Sequence, residues 1–455
     1  MNGVVDPLRN VSAKLVEVGH VYRNLVIEDF NAQTGVATLW NRFGFTNANA
    51  FDGTWELLAN GKVVASGSID VPAVEPLSRG EFKVEFPADV FKPCCEYFVN
   101  FSFALKADTL WERKGYVVAR DQKFVRAATP AAPVDVDGKK PSVAEDEKTV
   151  TICGGGTKAV FCRKSGTLCE LVMNGKTILK DMACGVVAGP QLTCERAFTD
   201  NDRWLRDGNP WGEDRKQSFY ASGLTQLRYH ARPLKVVTDG NAVKVTAVVE
   251  VTGSKSAGFA HEAEWMFRAD GTVTVKNTSE PHGALPPALP RMGTTWKLDK
   301  SLENMAYYGR GPRENYVDRK TGSFLGWWES TVTDQYEAYV RPQDNGYKCD
   351  VRKVRFTDDK GAGVEFSGDA PMFVQALHYG LEDLEFGHHR NGEKRYRTPL
   401  RARDEVVLNL DCRQLGLGGA SCGPRPMQKY IFPIQKEIWS VTLTPVKGKK
   451  FLGLF

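Results

Sequence analysis

Charged and hydrogen-bonding side chains crowd one short segment of the chain, residues 308–319. Glycines and a proline at its start predict a tight, irregular turn over residues 309–312. The planar guanidinium of an arginine pairs with a carboxylate through two parallel hydrogen bonds, so we expect arginines of the segment to pair with Glu314 or Asp318. Such a network fixes loops at the edge of a sheet and has an architectural role. The alternative is a solvated surface loop held by its own ion pairs.

Cysteine and histidine spacing does not predict a metal site. The chain has 10 cysteines and 7 histidines. Cys94 and Cys95 are adjacent, and the cysteines from 153 to 194 are irregularly spaced, without a CxxC pair joined to a second pair or to paired histidines. Several cysteines occupy apolar positions of predicted strands, which indicates reduced thiols in the core of a cytosolic protein. Disulfides are the alternative for an exported protein.

Composition is that of an ordinary globular protein. Hydrophobic residues make up 42% and charged residues 25% of the 455 residues, and the formal net charge is +5. Because basic residues are interspersed with acidic ones, nucleic acid is not an expected partner. Neither an apolar run of about 18 residues nor a secretory signal is visible, so no membrane association is expected. We therefore expect a cytoplasmic location, with the periplasm as the alternative.

Hydrophobic periodicity predicts one helix followed by strands. Leu15, Val18 and Tyr22 recur at helical spacing over residues 12–23, and Ser12 is a candidate N-cap. A single amphipathic helix of this length must pack against something. From about residue 25 the period changes to two. The pair Asn60-Gly61 then predicts a hairpin turn, because both positions need positive φ.

A polar, proline-containing segment divides the strands into two groups. Residues 128–148 have the composition of a linker. After it the two-residue period continues to the C-terminus, with further hairpins at Asn174-Gly175 and Asp270-Gly271. Val243, Val245, Val249 and Val251 are predicted to form one face of a strand. Roughly 300 residues of strands favour one large double-layered domain.

These segments resemble the LacZ-type β-galactosidases of glycoside hydrolase family 2. Residues 308–319 are similar to a signature in the C-terminal domain of that family, and the similarity continues through Trp327-Trp328, residues 334–336 and residues 339–346. Residues 196–202 are similar to a second family motif, with Phe198 in place of its usual proline. The signature residues that carry the resemblance are Arg310, Gly311, Pro312, Glu314, Asn315, Tyr316, Asp318 and Arg319.

The resemblance implies an all-β fold, in which an immunoglobulin-like β-sandwich is followed by a large galactose-mutarotase-like supersandwich. It assigns residues 1–24 to the end of a TIM barrel, 25–127 to the sandwich, 128–148 to the linker and 149–455 to the supersandwich. A retaining glycosidase needs two carboxyl groups about 5–5.5 Å apart. In this family both are glutamates on the barrel, and no glutamate in residues 1–24 matches either motif. We therefore expect no catalytic residue in this chain.

Two positions of the chain are implied to join a composite site. Asn2 aligns with a family asparagine that helps to hold a sodium ion, and an amide oxygen suits a hard cation. Ser421, Cys422 and Gly423 align with a loop that lines the substrate, where Cys422 replaces a tryptophan platform. The alternative is that the glycines of this loop only shape a turn. Magnesium and sodium are implied for the complete family enzyme, and neither is expected to be held by this chain alone.

The resemblance implies the C-terminal, non-catalytic part of a retaining β-galactosidase that hydrolyses terminal β-D-galactosides. A galactoside or other glycan and a catalytic barrel portion would then be its partners, in a homo- or hetero-oligomer. The chain is then either a subunit that needs a separate catalytic barrel chain or the product of a gene fragment. One alternative is a stand-alone carbohydrate-binding module, which exposure of Trp327 and Trp328 would favour. The other is an aldose 1-epimerase, which needs histidines and a carboxylate in a groove, with His378, His388 and His389 as the available histidines.

Overall fold

The computed structural model describes residues 3–5, 8–129, 138–182, 186–208, 218–339, 341–385 and 400–448. Within these ranges the chain forms 25 strands and four short α-helices, so the prediction of an all-β protein is confirmed. None of the helices in the described ranges has the length and apolar character that a membrane span requires.

The first compact unit comprises Met1–Val134, Tyr308–Pro312 and Lys320–Trp328. It contains a three-stranded sheet of order β1-β2-β5 and a four-stranded sheet of order β4-β3-β6-β7, both antiparallel. Its elements are α1 (Ala13–Val21), β1 (Leu25–Asn31), β2 (Val36–Asn41), β3 (Phe51–Ala59), β4 (Lys62–Ile69), β5 (Arg79–Lys83), β6 (Tyr97–Leu105) and β7 (Val117–Arg126).

Alternating burial along the strands produces the core of this unit. Along β6 every second residue from Tyr97 to Leu105 is buried, because successive side chains of a strand point to opposite faces. Asn60 and Gly61 connect β3 to β4 with φ values of 47° and 83°, as the predicted hairpin requires. One continuous cluster of buried side chains then joins both sheets, including Trp55 and Phe101.

The helix α1 packs through only one of its faces. Ser12 caps it by accepting the N–H of Leu15 at 3.2 Å, as predicted. Glu17 accepts the backbone N–H groups of Thr321 and Gly322 at 3.1 and 2.8 Å. The adjacent, solvent-facing side carries Val18, Val21 and Tyr22, with exposed fractions of 38%, 51% and 74%. These apolar residues at i, i+3 and i+4 form a continuous exposed stripe.

The second compact unit comprises Asp135–Tyr307, Arg313–Arg319 and Glu329–Phe455. Its short helices are α2 (Arg203–Arg206), α3 (Phe219–Ser222) and α4 (Leu381–Leu384). Its first strands are β8 (Ser142–Glu145), β9 (Thr149–Gly154), β10 (Thr157–Cys162), β11 (Thr167–Met173), β12 (Lys176–Lys180) and β13 (Gln191–Thr193). The next are β14 (Arg228–Ala231), β15 (Lys235–Asp239), β16 (Ala242–Thr252), β17 (Gly258–Phe267), β18 (Val273–His282) and β19 (Arg291–Asp299).

The hairpin strands β20 (Asn304–Gly311) and β21 (Phe324–Thr331) contribute residues to both units. The last strands are β22 (Lys348–Thr357), β23 (Gly363–Leu377), β24 (Glu405–Gln414) and β25 (Glu437–Val446). The large sheet has the order β13-β19-β24-β23-β25-β18-β17-β16-β14, and a second sheet has the order β12-β11-β10-β9-β8. This two-sheet arrangement agrees with the large double-layered domain expected from the sequence.

Aromatic side chains fill the core of the second unit. Phe161 of the five-stranded sheet contacts Trp265 of the large sheet edge to face, with ring centroids 5.5 Å apart. Trp265 continues to Trp296 at 6.0 Å, and Trp296 to Phe366 at 5.4 Å. Such aromatic pairs contribute about 0.5–1.5 kcal/mol each beyond the area that they bury. The predicted face of β16, from Val243 to Val251, is also buried as expected.

Three expectations about local structure need correction. Residues 128–148 were predicted as a linker, but they contain the strand β8. The linker prediction missed this strand because β8 is an exposed edge strand with a polar composition. Residues 309–311 continue β20, so the irregular segment starts only at Pro312. Among the nine described cysteines, all free thiols, Cys194 and Cys349 are buried, but Cys94, Cys153 and Cys422 are exposed. The described thiols are therefore not all core residues.

Candidate functional site

Glu314 is the centre of a buried polar cluster in the second unit. Its carboxylate accepts Nη2 of Arg319 at 2.6 Å and the backbone N–H of Gly346 at 2.8 Å. The hydroxyl of Tyr339 also donates to it. Despite the opposing effect of burial, the charge of Glu314 raises the pKa of Arg319. The expected pairing of Glu314 with an arginine is therefore present, through one guanidinium nitrogen and not through the two-bond fork.

Tyr316 of the signature and Gln375 of β23 hold a second buried carboxyl group, that of Asp344. Tyr316 donates its hydroxyl to Oδ2 of Asp344 at 2.9 Å, and Gln375 donates Nε2 to Oδ1 at 3.1 Å. Burial raises the pKa of Asp344 to about 7, although Arg196 and Arg291 act in the opposite direction. This carboxyl group is thus a proton-binding group near neutral pH inside the fold.

Asn315 fixes the chain that follows this carboxyl group. Its side-chain oxygen accepts the N–H of Cys349 at 2.8 Å, and its own N–H donates to the carbonyl of Tyr347 at 2.8 Å. The signature therefore binds the segment 344–349 through both backbone and side chains. These contacts position loops, and none of them brings two free carboxylates together for acid/base chemistry.

Asp318 connects the signature to residues 416–424, the glycine-rich loop. Its carboxylate accepts the backbone N–H groups of Leu417 and Gly418 at 3.0 and 2.8 Å. A Cβ atom at position 416 would lie 2.7 Å from Oδ2 of Asp318, so only glycine fits beside this carboxylate. Asp318 therefore pairs with backbone amides and not with an arginine, which corrects one of the two pairings that the sequence suggested.

Asn201 holds the same loop from the other side. Its Nδ2 donates to the carbonyl of Gly418 at 2.8 Å, and its Oδ1 accepts the N–H of Ser421 at 3.1 Å. The adjacent pair Arg196–Asp202, at 2.6 Å and almost fully buried, anchors this motif, and Arg196 also donates to the carbonyl of Leu415 at 2.9 Å. In the sequence, residues 196–202 are recognisable only as a family motif, and no signal there predicts that they hold this loop.

The tip of the loop is open to solvent. Ser421, Cys422 and Gly423 are exposed, and the N–H of Gly423 donates to the carbonyl of Gly419 at 2.6 Å. The thiol of Cys422 is free. Nearby, the guanidinium of Arg425 lies 4.8 Å from the ring centroid of Trp204. The loop thus presents a small exposed tip, and Asp318 and Asn201 fix the backbone of the loop at Gly418. This arrangement suits contact with a ligand.

The other predicted residues are not part of this cluster. Asn2 lies outside the described residues. Arg310, Gly311 and Pro312 are grouped with the first unit, where Nη1 of Arg310 donates to the carbonyl of Ser323 at 2.8 Å. In the described ranges, no group of three or more histidine, cysteine, aspartate or glutamate residues is arranged to hold a metal ion.

The residues that would mark the two alternative functions are engaged in the fold. Trp327 and Trp328 are both half-buried, and Nε1 of Trp328 donates to the carbonyl of Gly309 at 3.1 Å. His378 lies 2.7 Å from Oε2 of Glu303 and 2.9 Å from the carbonyl oxygen of Glu405. His388 and His389 lie outside the described residues. The tryptophan pair is therefore not an exposed platform, and His378 is held by structural contacts.

The fold and this network define an all-β protein in which a signature segment and a second motif together fix an exposed glycine-rich loop. Comparison with known families identifies both units. The family described as beta galactosidase small chain matches residues 153–443, and beta-galactosidase domain 4 matches residues 37–126. The first match covers more than half of the chain, so the chain belongs to the β-galactosidase small-chain family.

Two curated relatives are similar to this chain over most of its length. The chain is 28% identical over 421 residues to a β-galactosidase of Priestia megaterium, covering 92% of this chain and 38% of the relative. It is 27% identical over 438 residues to a β-galactosidase of Lactobacillus delbrueckii subsp. bulgaricus, covering 96% of this chain and 40% of the relative. The chain therefore spans about two fifths of the length of these relatives. The solved structure of a galactose 1-epimerase from Lactobacillus acidophilus aligns with 68% of this chain and with 99% of the epimerase chain, at 8% sequence identity. Its TM-score of 0.40 is too low to support a conclusion.

Proposed function

We propose that this chain is the C-terminal, non-catalytic part of a retaining β-galactosidase that acts on terminal β-D-galactosides. In this proposal a catalytic barrel portion supplies the two glutamates, and the chain supplies the loop with Ser421, Cys422 and Gly423. The complete assembly hydrolyses the galactoside, and this chain alone does not. The proposal rests on the family membership together with the fraction of each relative that the chain covers.

The observation that best supports the proposal is the exposed apolar face of α1. Val18, Val21 and Tyr22 lie on the side of the helix that does not contact residues 321–322. An amphipathic helix normally buries such a stripe against a neighbouring element. The sequence of α1 resembles the end of a TIM barrel, so the remainder of that barrel is the element that would cover the stripe.

The glycine-rich loop gives the second support. Asp318 and Asn201 together fix the backbone at Leu417, Gly418 and Ser421, while the tip at residues 421–423 is exposed. Restricting a loop before a ligand arrives lowers the entropy lost on binding. A fixed base with an exposed tip is what a loop needs in order to contribute to an active site whose catalytic groups lie elsewhere.

The metal ions of the complete enzyme are assigned to the catalytic portion. The described residues do not include a cluster that fits magnesium, because no three carboxylate, histidine or cysteine side chains converge. Asn2 is proposed to contribute one oxygen to a sodium ion that is otherwise held by the catalytic portion. No step proposed for this chain passes through either ion.

Hydrolysis of a chromogenic β-galactoside tests the proposal. The purified chain is assayed alone and after mixing with a separately expressed barrel portion of a β-galactosidase relative, and the barrel portion alone serves as the control. We expect activity only in the mixture. Activity of the chain alone would overturn the assignment of a non-catalytic part. Inactivity of the mixture, when a complex is detected by analytical ultracentrifugation, would overturn the composite active site.

A further inference from the structure

A cleft opens in the large sheet of the second unit where β23 changes its partner strand. Residues 363–368 of β23 pair with β25, whereas residues 373–377 pair with β24. The residues between them bend away at Gly368, where a Cβ atom would lie 2.4 Å from the carbonyl oxygen of Ala370. Strands β24 and β25 are therefore separated at this level. The space between them is a cavity of about 400 Å³, within the size range of ligand pockets.

Three deeply buried side chains on the wall of this cavity have polar atoms without a hydrogen-bond partner among the described residues. These atoms are Oε1 of Glu437, Nε1 of Trp439 and Oδ1 of Asp411, in residues that are only 7%, 5% and 1% exposed. Buried polar groups are almost always paired in native proteins, so three such atoms around one cavity indicate a missing partner.

The surrounding contacts hold these groups in place. Arg413 binds Oε2 of Glu437 at 3.1 Å, which leaves Oε1 as the available acceptor. The indole of Trp439 stacks on the imidazole of His261, with ring planes 6° apart and centroids separated by 6.2 Å. His261 in turn lies 3.2 Å from Oδ1 of Asn277. The donor and the acceptor are therefore fixed before any ligand arrives.

The hydrogen-bonding requirements of these atoms select one class of ligand. As carboxylate oxygens, Oε1 of Glu437 and Oδ1 of Asp411 can only accept, whereas Nε1 of Trp439 can only donate. A cation would satisfy the two carboxylate oxygens but not the indole N–H. An anion would be repelled by Asp369, Asp411 and Glu437, which outnumber Arg413 along the cavity wall. A neutral ligand with several hydroxyl groups satisfies all three atoms.

The rest of the wall suits a sugar ring. Met372, Phe373, Leu410 and Val441 provide apolar surface beside the polar atoms. Pyranoses combine hydroxyl groups that donate and accept with apolar C–H faces that pack on such side chains. We infer that the cleft between β24 and β25 binds a neutral saccharide, at a site formed by this chain alone. The inference goes beyond the proposed function, since it requires no catalytic partner.

Saccharide titration of the intact chain tests the inference. D-galactose, lactose and cellobiose are each titrated up to 100 mM and followed by isothermal calorimetry and by ligand-observed NMR. We expect saturable binding of at least one of them. Ala370 is exposed at the rim of the cleft, so Ala370→Trp fills the entrance without removing a buried contact and should weaken binding at least tenfold. Ala144→Trp, on the exposed edge strand β8, is the matched control and should bind normally.

A second variant examines the hydrogen bond itself. Trp439→Phe keeps an aromatic ring against His261 but removes the N–H donor, and we expect about fivefold weaker binding for one lost hydrogen bond. Absence of saturable binding by all three sugars would overturn the inference, and so would equal binding by Ala370→Trp and the unmodified chain. An experimental structure of the chain soaked in the same sugars that shows only ordered water on Glu437 and Trp439 would also overturn it. None of these outcomes depends on galactoside hydrolysis.

Discussion

The carboxylate of Asp318 accepts the backbone N–H of Gly418 at 2.8 Å, across 100 residues of sequence. The same carboxylate accepts the N–H of Leu417, so one side chain fixes two successive peptide groups at the base of the exposed loop. A charged acceptor forms stronger hydrogen bonds than a neutral one. The signature segment therefore acts on the loop directly, and the loop geometry depends on the negative charge and two oxygens of this residue.

Replacing Asp318 by asparagine should loosen the loop. Asparagine retains one acceptor oxygen but turns an NH₂ group toward the second backbone N–H, which leaves one donor unsatisfied. We expect the free energy of unfolding to fall by about 1–2 kcal/mol. Amide hydrogen exchange at residues 417–423 should become faster in Asp318→Asn. Asp359→Asn is the control, because Asp359 is exposed and accepts one weak bond, from Asn304 at 3.3 Å. Unchanged exchange in the loop would contradict the role of Asp318.

Asp344 should make the stability of the fold depend on pH near neutrality. Its pKa is raised to about 7 by burial, from an ordinary value of 3.8. Between about pH 4 and 7 the folded state therefore binds the proton that the unfolded chain has lost. The contribution of this group to the free energy of unfolding thus falls as the pH rises through that interval.

The variant Asp344→Asn isolates this effect, because an amide resembles the protonated carboxyl group. Relative to the unmodified chain, the variant should gain about 2 kcal/mol of stability between pH 5 and pH 7. Urea denaturation at several pH values measures this difference, and pH effects from other groups cancel in the comparison. Asp52→Asn changes an exposed strand residue and should show no such trend. A constant difference for Asp344→Asn would show that Asp344 does not titrate in this range.

Features that depend on a few neighbouring residues were predictable from the sequence. The hairpin at Asn60-Gly61 follows from the positive φ that both positions require, and Asn174-Gly175 adopts φ values of 49° and 79° for the same reason. Alternating burial along β6 and β16 follows from the two-residue period. The cap of α1 by Ser12 was also visible in the sequence, because a short hydroxyl side chain satisfies a free N–H at a helix start.

Contacts between distant segments were not predictable from the sequence. An arginine fork was the natural partner for Asp318 on chemical grounds, yet the fold brings two peptide N–H groups to it from residues 417 and 418. The requirement for glycine at position 416 depends on the same approach. Asn201 showed no signal of its role other than its presence in a family motif. Tertiary packing decided these partners, and one sequence does not reveal which segments meet.

Charges on the exposed face of α1 should block assembly without unfolding the chain. In Val18→Lys/Tyr22→Lys both substituted side chains are exposed, and a positive charge near the C-terminal end of a helix is favourable. We therefore expect a change in stability within about 0.5 kcal/mol. Activity of the mixture with the barrel portion should fall at least tenfold, because burying two charges in an apolar interface is costly. Tyr116→Lys, at another exposed tyrosine, should keep full activity, and equal activity of the double variant would show that this face is not the contact.

Restoring an indole at the loop tip should improve sugar binding in the assembled enzyme. Cys422 is exposed and occupies the position of the tryptophan platform that the resemblance implies. An indole adds roughly 100 Å² of apolar contact, worth at most about 2–3 kcal/mol. Part of this gain is lost because the side chain must be ordered, so we expect the KM for lactose to fall about tenfold in Cys422→Trp.

The matched control for this prediction is Cys422→Ser, which removes the thiol without adding apolar area. Its KM should equal that of the unmodified assembly. If Cys422→Trp also leaves KM unchanged while the mixture remains active, the loop tip does not reach the bound sugar. Because Asp318 and Asn201 fix the base of the loop, Asp318→Asn should reduce the gain from the added indole. A gain that is independent of Asp318 would mean that the tip binds sugar without a positioned base.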